Sequence, residues 1–244
     1  MKVMKTRIFL AGASGAIGRR LCPLLVGDGW AVTGTTRSAE KAAALRALGV
    51  EPVIVDVFDA VALMQAVAEA QPEIVIHQLT DLPAILDPSK MAEASVRNAH
   101  IRDVGTRNLV AAAVAAGAKR LIAQSISFAY APSATPYLED APLNVNAPDR
   151  AGVSARGVLS LEQQVLSAPL LGLVLRYGRL YGPGTSADKP PAGGAVHVDA
   201  AADVARRAVT RGSKGVYNVA EDDGTVSSEK ARDELGWNPD FRLR

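Results

Sequence analysis

Three glycines at a fixed spacing constrain this chain more than any other feature. They lie in IFLAGASGAIGRRL, residues 8–21, where four apolar residues run straight into Gly12, Gly15 and Gly18. Each glycine gives up side-chain packing and loses extra backbone entropy on folding, so three of them at a strand-to-helix junction demand a purpose. A strand that turns tightly into a helix supplies one. The first glycine permits the turn, and the second lets backbone approach a pyrophosphate. The third lets the helix lie close on the sheet, while the helix N-terminus offers free N–H groups and a partial positive charge. Gly12, Ser14, Gly15, Ala16, Ile17 and Gly18 are therefore candidate ligands of a dinucleotide.

The rest of the chain suits such a loop. Short, continuously apolar runs at Arg7–Ala11, Ala31–Thr35, Pro52–Val55, Ile74–His77, Leu121–Gln124 and Leu173–Arg176 predict buried strands. Between them Ala16–Asp28, Ala39–Leu48, Val61–Ala70, Met91–Ala116 and Arg156–Ser167 carry apolar residues at helical spacing. This alternation implies an α/β doubly wound parallel sheet, with its ligand at the carboxyl ends of the strands. After residue 176 the rhythm loosens into a glycine- and proline-rich loop, a short strand, a helix over Ala200–Thr210 and a strand at Gly215–Val219. The expected organisation is a dinucleotide-binding core over residues 1–176 and a reduced substrate-binding region over 177–244, of which 196–219 returns to the core.

Composition excludes several partners. With 244 residues, a formal net charge of +2 and interspersed charges, nothing points to nucleic acid or an anionic membrane. One cysteine, Cys22, rules out an internal disulfide and reads as a buried, inert thiol. His77, His100 and His197 are scattered, so no metal site is expected. The lysines and apolar run at the N-terminus imitate a signal peptide, but the apolar run is too short and no segment has the length to span a membrane. The expectation is a cytoplasmic protein.

Further stretches make a resemblance specific. The G-x-x-G-x-x-G spacing, VIHQLTD (75–81), GTRNLVAAAVAAGAKRLIAQSIS (105–127), LRYGRLYGPG (175–184), VHVDAAADVA (196–205) and ARDELGWNPD (231–240) occur in the order found in the extended short-chain dehydrogenase/reductases. The chain thus resembles the NAD-dependent epimerase/dehydratase family, whose members have a Rossmann fold. The resemblance implies adenosine contacts at Asp56, Val57, Leu79 and Thr80, although an aspartate capping the next helix would look the same as Asp56. The second strand ends in Thr35, Thr36 and Arg37 with no acid to accept the ribose 2′-hydroxyl. An arginine fork binds a 2′-phosphate instead, so NADP is the expected cofactor, with NAD the alternative. Arg19 is expected on the same side. Arg37 beginning a solvated helix is the competing reading.

The resemblance also implies a tyrosine with a lysine four residues on, and here the chain departs from it. If Glu162 is the family's acid, those positions hold Ser154 and Val158. No tyrosine anywhere in the chain has lysine four residues later. The family's asparagine before GT is Arg102, and the loop Thr185–Ala195 is short, which argues against a large nucleotide-sugar substrate. Two classes of function follow. One is an oxidoreductase, epimerase or dehydratase acting on a small sugar-like, carbonyl or hydroxyl substrate with a rebuilt acid/base. There Tyr130 donates the proton, Ser125 or Ser127 polarises a carbonyl, and Arg150 or Arg156 supplies the cation. The other is a non-catalytic NADP-binding sensor. The 91–116 and 156–167 helices resemble those that pair in family homodimers, leaving a homodimer or a monomer.

Overall fold

The protein, described by a computed structural model over residues 6–81 and 88–243, folds around one seven-stranded sheet. The first five residues, with the lysines that imitate a signal peptide, lie outside the described residues. The strands are β1 (Arg7–Ala11), β2 (Ala31–Thr36), β3 (Glu51–Ile54), β4 (Ile74–His77), β5 (Arg120–Ile126), β6 (Leu171–Tyr177) and β9 (Gly215–Val219). They run parallel in the order β3-β2-β1-β4-β5-β6-β9. Leu10 of β1 sits between Gly34 of β2 and Ile76 of β4. The chain winds outward from β1 to β3, then returns to lay β4 on the other side of β1. That reversal opens a cleft outside the carboxyl ends of β1 and β4.

Both faces of the sheet are covered, which is why its strands read as unbroken apolar runs. Ile8 and Leu10 pack with Leu21 and Leu25 of α1 (Ala16–Gly27) and Val204 of α7 (Val198–Ala208). Phe9 and Ala11 point the other way, onto Val67 of α3 (Ala60–Ala70), Leu109 of α5 (Thr106–Ala115) and Leu161 of α6 (Arg150–Ser167). Cys22 is buried against the α7 side, and burial pushes its thiol up to about 12, so it stays protonated. Among the described residues no helix is long and apolar enough to cross a membrane.

Three features differ from expectation. The helix expected at Arg156 begins at Arg150, because Asp149 caps it by accepting a hydrogen bond from the Ala151 N–H at 2.9 Å. Gly152 is required there, since a Cβ would overlap the Ala147 carbonyl. The long helix is α4 (Met91–His100) joined to α5 by a π-helical turn, Ile101–Gly105. In the loosened C-terminal part, β7 (Arg179–Tyr181) pairs with β8 (Ala195–His197) as a small parallel ribbon beside the cleft. The α2 helix (Ala39–Ala47) and α8 (Glu229–Leu235) complete the fold. Trp237 donates its indole N–H to the Ala200 carbonyl at 3.0 Å, tying the tail to α7.

Candidate functional site

The glycine loop has the geometry its spacing predicts. Gly12 has φ +88, and a Cβ there would stand 2.5 Å from the Gln78 carbonyl, so the turn tolerates only glycine. A Cβ on Gly18 would strike the Gly12 and Ala13 carbonyls, which lets α1 approach the sheet. Gly15 is different: it is exposed, has extended backbone, and a Cβ would meet nothing nearer than the Gly12 carbonyl at 3.3 Å. Its space is open on the cleft side. The first bond of α1 runs from the Arg19 N–H to the Gly15 carbonyl at 3.0 Å. The N–H groups of Ala16, Ile17 and Gly18 are thereby left for a ligand, and no acid in the first turn neutralises the helix end. This is an anion seat.

Residues at the end of β2 hold the loop in place. Thr35 Oγ1 accepts from the Gly12 N–H at 3.1 Å, and Ser14 Oγ donates to Thr36 Oγ1 at 3.2 Å. Arg37, 62% exposed, reaches Asp81 at 3.4 Å, and Asp81 is shared with Arg97 at 2.9 Å. Arg19 is exposed and lies at the Gly184 turn, where a Cβ would be 3.0 Å from its Nη2, so the two arginines serve different walls. Asp56 accepts from the Phe58 N–H at 2.9 Å, while the cap of α3 is Asp59. Val57 is fixed through its carbonyl by Asn108 at 2.9 Å. Leu79 donates its N–H to His77 Nδ1 at 3.3 Å, and Thr80 beside it is exposed.

At the β5 and β6 ends the polar groups form a buried network. Arg176 grips Glu162 of α6 in a bidentate pair, Nε to Oε1 at 2.8 Å and Nη2 to Oε2 at 2.6 Å. Ser125 Oγ donates to the same Oε1 at 2.9 Å. Arg176 Nη1 donates to the Tyr130 hydroxyl at 2.7 Å, and that hydroxyl donates to Asn218 Oδ1 at 2.6 Å. Burial raises the Tyr130 pKa, and the neighbouring Arg176 opposes the rise. The cation beside Tyr130 is therefore Arg176. Neither expected arginine is brought to it: Arg156 donates to the Val145 carbonyl at 2.7 Å, and Arg150 is exposed in the first turn of α6. Ser127, just past β5, is buried and its Oγ has no hydrogen-bond partner among the described residues. Ser154 is half-buried, and Val158 is buried in a small apolar cluster with Ile126 and Ala155.

Sequence reasoning passed over the partnership of Glu162 with Arg176. Its only signal was a charged residue at the end of an otherwise apolar strand. Among the described residues no group of histidines, cysteines and carboxylates could hold a metal ion. The open N–H groups at the start of α1 suit the phosphates of a dinucleotide.

Comparison with known proteins agrees. Residues 12–150 match the family described as NAD(P)H-binding. A 3-diazoavenalumate denitrifying reductase from a Streptomyces species is 42% identical, with 91% of this chain and 78% of that protein covered. The UDP-glucose 4-epimerase of Thermotoga maritima, solved with UDP-glucose, superposes with a TM-score of 0.78 at 17% identity, covering 98% of this chain and 95% of that one. The Thermus thermophilus UDP-glucose 4-epimerase in complex with NAD gives 0.77 at 20% identity, with 98% and 95% covered. At these identities the two epimerases show the shared Rossmann-type fold.

Proposed function

The chain belongs to the NAD(P)H-binding family, and on that premise we propose that it is a reductase whose substrate accepts hydride without taking a proton from the protein. The observation that carries this reading is the fate of the acid/base positions. Ser154 and Val158 stand where a tyrosine and a lysine would act, and the Tyr130 hydroxyl is committed to Arg176 and Asn218. A carbonyl reduced to an alkoxide needs a proton donor within hydrogen-bond reach. A diazonium carbon does not. When it gains a hydride a C–H bond forms, and the C–N bond breaks with its electron pair leaving on N2. Charge balances with no proton taken up. The name of the 42% identical relative, a denitrifying reductase of a diazo compound, supports a substrate that gives up its nitrogen from a C–N2 group.

The chain's own residues bind and orient. The open N–H groups at the start of α1 would hold the pyrophosphate, and the bound cofactor would supply the hydride. Ser127 Oγ would fix the acceptor at the β5 end. Arg37 supports NADP over NAD: it is exposed, and Asp81 keeps Arg97 as a partner when Arg37 turns to a 2′-phosphate. Val96 of α4 and Leu159 of α6, both exposed, support pairing of these helices between two copies.

The test uses NADPH deuterated at the transferred position and an aryl diazonium salt. One N2 released per NADPH consumed, with deuterium at the carbon that lost nitrogen, is the expected result. Bound NADPH without turnover would leave a sensor, and reduction of simple ketones instead would restore the carbonyl reading.

A further inference from the structure

The π-helical turn carries a half-buried arginine that is in contact with no counterion. Arg102 makes no hydrogen bond or ion pair among the described residues. Both nearby carboxylates bond other residues, Asp103 through Oδ1 alone. Asp103 accepts from Ser160 Oγ and from Arg107, each at 2.9 Å, and so fastens the turn to α6. Glu162 acts on Arg102 only through space, because its two oxygens are held by Arg176 and Ser125.

Its neighbours along the helix locate the side chain. Asn98, four residues before, accepts from the Asp81 N–H at 3.0 Å. Thr106, four residues after, bonds His77 Nε2 at 3.1 Å. Residues four apart share a helix face, so Arg102 lies between these links, on the face turned to the carboxyl end of β4. Burial lowers the His77 pKa to about 4, and the nearby Arg102 charge acts in the same direction. Across the wedge stands α6, whose Gly157 lets the backbone of Ala99 approach so closely that a Cβ would be 2.8 Å from the Ala99 Cα. Burial lowers Arg102 to about 10, so it remains charged at neutral pH.

An unpaired, partly desolvated cation destabilises a fold unless something supplies the missing charge. Extra turns of π-helix often mark places where a helix displays a functional side chain. We propose that Arg102 anchors a carboxylate on the substrate, placing an aryl acid at the β4–β5 end of the cleft. A guanidinium fork matches a carboxylate in two parallel hydrogen bonds, and the phosphate seat of the cleft is elsewhere, at the start of α1. This rests on the reading that the cleft takes a small hydride acceptor, but not on its reduction.

Calorimetry with protein saturated with NADP+ makes the distinction, using benzoate and its neutral isostere benzamide as probes. Wild type should bind benzoate at least tenfold more tightly than benzamide. Arg102→Gln should remove that preference by weakening benzoate alone, while NADP+ affinity stays within twofold. Arg102→Met should be as stable as wild type without ligand, or more so, since it deletes an unpaired charge. Equal binding of the two probes by wild type, or no binding of either, overturns the proposal. So does an Arg102→Gln variant that loses NADP+ affinity, which would place the guanidinium on the cofactor. A failure to reduce diazonium salts, with the benzoate preference intact, would overturn the reductase reading and leave this one standing.

Discussion

At the glycine end of the cleft, the groups that matter are neighbours in sequence and left open. At the β5–β6 end they are distant in sequence and bonded to one another. The Ser14–Thr36 bond joins residues 22 positions apart, and no side chain caps the helix start beside it. The Tyr130–Asn218 bond spans 88 positions, and with Arg176 and Glu162 it forms a closed network. The difference follows from the ligands. A pyrophosphate needs backbone N–H groups and room, which glycines in one short segment provide. A reacting centre needs side chains gathered from several strand ends, and their partners decide which of them remain available. Here the Ser127 hydroxyl and Arg102 make no hydrogen bond among the described residues, while the tyrosine is held by Arg176 and Asn218.

The sharpest way to break the comparison is Gly15→Val. Valine suits the extended backbone at this position, so the fold should survive with its Tm shifted by less than about 5 °C. Dinucleotide binding should fall by on the order of a thousandfold, because the branched side chain fills the space left for phosphate. Cofactor-induced thermal stabilisation in the variant would show that the loop has another use.

Arg37→Asp should have a smaller effect. Losing a charged hydrogen bond worth about 1.5–3 kcal/mol should weaken NADP binding by roughly ten- to a hundredfold. NAD should be affected little, so that the preference narrows or reverses in paired titrations. Equal wild-type affinities for the two cofactors would remove Arg37 from the site.

How much was legible follows the same division. The bounds of β1, β4 and β9 stand in the sequence; β1 and β4 are apolar runs buried on both faces, and β9 is a mixed run at the sheet edge. The loop was equally legible, because Gly12 and Gly18 answer local steric demands and Gly15 leaves room beside the helix start. The start of α6 was not, for a glycine within it packs against a carbonyl outside the helix. The choice among Arg150, Arg156 and Arg176 as partner of Tyr130 was also hidden. Only sheet register brings β6 alongside β5 and β9 and so delivers Arg176 to the Tyr130 hydroxyl. The isolation of Arg102 depends on where two other carboxylates find their partners, which no local pattern records.

Hydride transfer without a protein proton donor is tested most directly by the single-turnover rate of NADPH oxidation by an aryl diazonium acid. Measured between about pH 6 and pH 9 for wild type and Tyr130→Phe, the rate should be independent of pH and agree within about twofold, with no solvent deuterium effect. A rate that follows a single ionisation, slows in heavy water and disappears in Tyr130→Phe would contradict it, and would make Tyr130 the acid.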